Sequence, residues 1–143
     1  MSDELQRFLW AQEGVIDSVL EELRAGHKTS HWMWFIFPQV AGLGRSATAQ
    51  KYAIESLAEA EAYLAHPVLG KRLRECCGLL LLHADQSAEQ ILGGIDALKL
   101  RSSMTLFDAI SSDDCFAQVL SAFYGGATDP ASLDVLQGWR AVH

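Results

Sequence analysis

The sequence predicts an all-α fold: a single compact domain, residues 1–143, of seven or eight short helices. Three observations lead there. Apolar residues recur at helical spacing through most of the chain. Helix starts and stops of familiar chemistry punctuate that pattern: Ser46, Ser56, Ser87 and Asp129 at candidate N-termini, Gly26 and Gly125 at candidate C-termini. No alternation of strand and helix patterns calls for a parallel sheet. The length is that of one ordinary domain, and a chain 50% hydrophobic and 20% charged is that of a packed protein rather than a disordered one.

In order along the chain, Leu5, Phe8, Leu9, Val15, Ile16, Val19, Leu20 and Leu23 predict one helix from Asp3, its N-cap, to Ala25, stopped by Gly26. The run Trp32-Met33-Trp34-Phe35-Ile36-Phe37 holds two of the four tryptophans and ends at Pro38. Periodicity leaves it open between a short buried helix and a buried strand, and its helical surroundings favour the helix or an irregular segment. Ser46 caps a short helix reaching Tyr52. Ser56-Leu57-Ala58-Glu59 is a capping-box pattern opening a helix that stops near His66. Pro67 suits the first turn of the next helix, which carries Leu69, Leu73, Cys76 and Leu80. Ser87-Ala88-Glu89-Gln90 is a second capping box, closed by Gly93-Gly94. A basic segment then leads into Met104 to Ile110. Ser112 is the expected cap of a helix ending at Gly125-Gly126, and Asp129-Pro130 opens a last helix ending near Gly138.

No apolar run approaches the ~20 residues that span a bilayer, and Met1-Ser2-Asp3-Glu4 lacks the basic start of a signal peptide. A cytoplasmic protein without membrane association is the expectation. Cys76, Cys77 and Cys115 are odd in number and form no C-x-x-C. They read as buried structural thiols, with a redox or nucleophilic role as the alternative.

The net charge of −7 argues against nucleic-acid binding. Its distribution is more informative. Leu23 to Ile54 contains no Asp or Glu but carries Arg24, Lys28, Arg45 and Lys51; Ala97 to Phe107 again lacks acids and carries Lys99 and Arg101. Both segments are rich in hydroxyls: Thr29, Ser30 and Ser46 in the first, Ser102, Ser103 and Thr105 in the second. Cations with hydroxyl donors suit phosphate or carboxylate; helix capping and solvated charge explain the same residues without a ligand.

Individual motifs carry less. His27 and His31 have the spacing of a zinc pair, but Lys28 stands where a metalloprotease helix has Glu, so no metal is expected. No Gly-x-Ser-x-Gly elbow surrounds Ser30, which argues against a serine hydrolase. His31 is the candidate general acid or base, since histidine titrates near neutral pH; a buried, hydrogen-bonded histidine is the plainer account. Gly42-Leu43-Gly44-Arg45-Ser46 has the look of an anion-holding loop but lacks the P-loop ending. The tryptophans are core first, although Trp32 or Trp34 at a pocket edge could stack on a base or sugar.

These residues also carry a resemblance. Phe8 with Ala11-Gln12, Gly26-x-Lys28, Ser30 through Gln39, Gly42-Leu43-Gly44-x-Ser46, Ala60-x-Ala62-Tyr63-Leu64-x-His66-Pro67-x-Leu69-Gly70-x-Arg72-Leu73, and Asp96-x-x-Lys99-Leu100-x-Ser102-Ser103-Met104-Thr105-Leu106-Phe107 together span nearly the whole chain. In them the chain resembles the bacterial family known as domain of unknown function 1810. The resemblance implies a small, single-domain, mainly helical protein packed like a helical-repeat superhelix, and no particular activity. Its polar motif positions fall here on Lys28, Ser30, His31, Gln39, Ser46, Lys99, Ser102, Ser103 and Thr105, with Arg45 and Arg101 beside them.

Two functional expectations follow. In the first, Lys28, Ser30, His31, Trp32, Gln39, Ser46, Lys99, Ser102, Ser103 and Thr105 line a pocket for a small anionic, phosphate-bearing or nucleotide-like ligand, with no cofactor. In the second, the same basic surface docks an acidic protein partner and the polar motif residues are structural. The first requires the Lys28–Gln39 segment and the Lys99–Thr105 segment to meet as opposite walls.

Overall fold

The computed structural model describes residues 3–141. Ten helices occur among them: α1 (Asp3–Glu13), α2 (Ile16–Ala25), α3 (Met33–Ile36), α4 (Ala47–Lys51), α5 (Leu57–Ala65), α6 (Leu69–Leu81), α7 (Ala88–Leu92), α8 (Gly94–Ile110), α9 (Cys115–Tyr124) and α10 (Pro130–Ala141). No strand is present among the described residues; Val40 and Ile54 make one isolated parallel bridge, with the Ile54 amide donating to the Gln39 carbonyl at 2.8 Å. The all-α class is therefore as read. The helix count exceeds the expected seven or eight.

The first surplus helix comes from a break at Gly14-Val15, where a single helix is expected. A straight helix over that span would be about 35 Å long. Instead α1 packs against α3 and α2 against α6. Two partners in different directions are worth more than the continuity of one rod, and Gly14 is already about 1 kcal/mol poorer than alanine in a helix. The expected capping role of the Asp3 side chain lies outside the described residues. At the far end of α2, Gly26 takes φ 73°, and a Cβ there would lie 2.8 Å from the His83 ring and the Gln86 amide. Only glycine satisfies both the left-handed backbone and that close approach.

Most predicted caps form. Ser46 accepts from the Ala49 amide, and Ser87 and Gln90 complete a reciprocal capping box. Ser56 makes half of its box: it accepts from the Glu59 amide, while the Glu59 carboxylate serves the Glu55 amide and Arg7 instead. At α6 the cap is His66, whose Nδ1 accepts from the Val68 and Leu69 amides across Pro67. Gly70 then sits so close to the end of α5 that a Cβ would collide with the Leu64 carbonyl oxygen. At α9 the cap is Asp114 rather than Ser112. Asp129 opens α10 as expected, and that helix runs through Gly138 to Ala141.

The largest departure is α8. The basic segment expected to precede a helix is itself helical, part of 17 unbroken residues. This helix touches α5, α7, α9 and α10, and Ala97, Leu100 and every residue from Ser102 to Phe107 are buried. A central helix covered on nearly all sides needs no single apolar stripe. Around it runs a contiguous core whose rings step from Phe8 to Tyr63 (5.1 Å), Phe107 (5.5 Å) and Phe116 (5.6 Å). The fully buried Gln12 is satisfied within it, donating to the Phe35 carbonyl and the Tyr63 hydroxyl and accepting from Arg72. Trp32, Met33, Ile36 and Phe37 are buried in the same core, so the aromatic run is one helical turn and its flanks.

No helix among the described residues is long and apolar enough to cross a membrane.

Candidate functional site

The loop from Gly26 to Trp32 forms one wall of the site because two anchors fix it. The Lys28 amide donates to the Ile91 carbonyl at 2.8 Å, tying the loop to α7. The Glu22 carboxylate on α2 gathers the rest, accepting from the Thr29 amide (2.8 Å), the Ser30 amide (3.1 Å), the Ser30 hydroxyl and the Trp32 indole N–H (2.9 Å). Partial burial opposes its ionisation. The donors from Ser30, Thr29 and Trp32 outweigh that and hold Glu22 down to about 2. Ser30 and Trp32 are thereby committed to the scaffold.

The other wall is the start of α8. Gly93, the residue before it, has φ 92° and no side chain with which to cap the helix. Between the walls lies a cleft of about 350 Å³, whose lining includes Lys28, His31, Trp34, Gly93, Ile95 and Asp96. The Lys28 and Lys99 ammonium groups meet on Asp96, at 2.8 and 3.7 Å. Each also lies over an indole face: Lys28 5.0 Å from Trp32, Lys99 4.7 Å from Trp34. Lys28 is only 8% exposed, which is unusual for a lysine and is sustained by the ion pair and the ring. Two cations and one carboxylate leave one net positive charge, beside the positive end of a long helix. His31 is exposed at the rim.

The two basic segments therefore meet, but over fewer residues than expected. Lys28, His31 and Lys99 come together here. Trp34, not Trp32, is the tryptophan at the cleft. Because Lys99 to Thr105 is a helix, its polar side chains point in different directions. Ser102 donates to the Leu98 carbonyl and to Asp129; Thr105 donates to the Arg101 carbonyl and accepts from the Asp129 amide; Arg101 holds the Ala127 and Thr128 carbonyls. That cluster fastens the start of α10. Ser103 is buried in the core, and its hydroxyl has no hydrogen-bond partner among the described residues. Ser46 is spent as a cap, Arg45 is exposed, and Gln39 is engaged through its backbone at the Val40–Ile54 bridge.

His27 and His31 part company: His27 lines a second cleft of about 370 Å³, with Glu21 and Glu22. Among the described residues no three His, Cys, Asp or Glu side chains gather as a metal site.

Asp96 escaped the reading of single residues. Its signal is the Asp96-x-x-Lys99 spacing, which puts both on one helix face. Trp34 and the Gly93-Gly94 pair could be assigned only once the loop's path was known.

Among solved structures, the chain is similar to a conserved hypothetical protein from Mycobacterium tuberculosis, Rv1873, at 48% identity over 96% of this chain and 99% of that one, with a TM-score of 0.93. No curated protein matches it. The family model described as protein of unknown function (DUF1810) matches residues 2–136. The chain belongs to the DUF1810 family.

Proposed function

We propose that the protein binds a small anionic ligand, phosphate-bearing or nucleotide-like, in the cleft between the 28–34 segment and the start of α8. The observation that carries this reading is the pair of lysines gathered on Asp96 beside an uncapped helix start. The two ammonium groups are held in place before any ligand arrives, so little side-chain entropy is lost on binding. The first-turn amides of α8 supply the donors that anions take at helix N-termini. Trp34 and Ile95 offer flat and aliphatic surface for an apolar part, and about 350 Å³ falls within the range of small-molecule pockets. His31 at the rim is the residue placed to move a proton if the bound ligand is also transformed. A cytosolic setting belongs to the same reading, supported by the odd, unspaced cysteines.

Docking of an acidic protein segment is the second reading. It is favoured by Ile95 and Leu98, 73% and 64% exposed on α8 beside Lys99.

Thermal unfolding with inorganic phosphate, ADP, ADP-ribose and sugar phosphates tests the first reading. At least one of these should raise the melting temperature, by an amount that grows with concentration and shrinks with salt. The effect should weaken in Lys99→Ala and vanish in Lys28→Ala. Stabilisation that survives both substitutions, or no stabilisation by any of them, overturns it.

A further inference from the structure

The start of α8 presents two stripes side by side, one charged and one apolar. We propose that the cleft takes a soluble amphiphilic anion, a phosphate monoester whose short aliphatic tail leaves the cleft along Ile95 and Leu98. This rests on the anion-binding reading of the cleft and assigns the chemistry of the ligand's other end.

Ile95 and Leu98 are three residues apart on α8, and so are Asp96 and Lys99. Each pair therefore shares a face, and the two stripes are offset by about 100° around the helix. The charged stripe meets Lys28 and leaves one net positive charge. The apolar stripe begins in the cleft, because Ile95 lines it together with Met33, Trp34 and Leu92. It runs on to Leu98, which faces water outside.

Among the described residues, the large apolar side chains more than half exposed are Trp10, Leu82, Ile95 and Leu98. Trp10 stands on α1 and Leu82 just past α6, on separate elements. Ile95 and Leu98 are neighbours on one face. Single exposed apolar residues are ordinary, whereas a pair continuous with the lining of a cleft marks a binding surface.

The two ends of the stripe define its occupant. At the cleft end stand the ammonium groups, which take an anion. Past Leu98, the next positions on that face are Arg101 and Ser102. Arg101 holds the Ala127 and Thr128 carbonyls, and Ser102 donates to Asp129. That loop closes the stripe about 9 Å of helix rise beyond Ile95. The occupant is therefore short as well as amphiphilic. A lipid surface fits poorly, because a chain of net charge −7 is repelled by an anionic bilayer.

Isothermal titration of the full chain with inorganic phosphate and with ethyl, propyl, butyl and hexyl phosphate, below their micelle concentrations, tests this. Affinity should rise about two- to fourfold per methylene, the range for half to full burial of each. Propyl phosphate should bind more tightly than glycerol phosphate, which has the same head and carbon count but a polar tail. Leu98→Ser, at an exposed position, should flatten the step from butyl to hexyl. Vesicles of equal parts phosphatidylcholine and phosphatidic acid should sediment without the protein. Binding of inorganic phosphate with a flat alkyl series would overturn the tail assignment and leave the anion cleft standing. Binding of no member of the series would overturn both. A slope that survives Leu98→Ser, equal binding of glycerol and propyl phosphate, or co-sedimentation with the vesicles would each overturn the tail assignment.

Discussion

The two halves of α8 each carry a cation and do different work. Near its start, Asp96 faces the cleft with Lys28, Lys99 pairs with Asp96 behind it, and the helix has no capping side chain. One turn further on, Arg101, Ser102 and Thr105 offer a cation and two hydroxyls, yet all three are consumed by the Ala127–Asp129 loop. Composition marks Lys99 to Thr105 as anion-friendly throughout. The lesson is that a donor makes a site only when the fold leaves it unspent, and hydrogen-bond partners rather than residue types decide that.

Substitutions that break this contrast should separate stability from binding. The largest effect is expected at Asp129, whose carboxylate accepts from Ser102 and from the amide and hydroxyl of Ser132. Asp129→Ala removes a cap and strands the buried Ser132 hydroxyl, costing about 3 kcal/mol. Urea unfolding should show that loss, with the phosphate response of the remaining folded protein unchanged.

Glu22 comes next, since it shapes the cleft's loop without entering the cleft. Glu22→Gln should cost about 2 kcal/mol at neutral pH, because a charged acceptor of several hydrogen bonds is lost. It also has a pH signature. A carboxyl that titrates near 4.5 when unfolded and about 2 when folded adds stability above pH 4.5 and loses it progressively as pH falls toward 2. Unfolding midpoints measured across that window should fall less steeply in Glu22→Gln than in the wild type.

Lys99→Ala leaves Asp96 its closer partner, Lys28, and should cost about 1 kcal/mol or less. Its effect on ligand-induced stabilisation should be the more visible one. Smallest is Ser46→Ala, about 0.5–1 kcal/mol for a cap on a five-residue helix, with no effect on any anion response. A clear loss of anion response in Ser46→Ala would move the site to the glycine-rich loop.

Local chemistry was legible in the sequence, and tertiary choices were not. Ser46 and Ser87 act within one turn of themselves, as do Gly26 and Asp129 in their capping roles, so those roles could be read from neighbours alone. The break at Gly14 could not, because apolar spacing continues across it and only the separate partners of α1 and α2 require it. The continuity of α8 was hidden by its hydroxyls, which look like helix breakers. Inside the helix Ser102 and Thr105 instead bond back to the carbonyls four residues earlier. In Ser111-Ser112-Asp113-Asp114 any residue can cap, and Arg74, distant in sequence, selects Asp114. For the site, charge segregation pointed to Lys28, His31 and Lys99. Which tryptophan would face them depended on Glu22 claiming the Trp32 indole, a contact that only the folded loop creates.

The most direct test of the cleft is a titration with inorganic phosphate and ADP followed by amide and indole NMR shifts. Saturable shifts should concentrate at Lys28, His31, Gly93 to Asp96, Lys99 and the Trp34 indole, leaving Ser102, Thr105 and Asp129 unmoved. Shifts centred on Arg101 to Asp129, or on Gly42 to Ser46, would contradict the assignment.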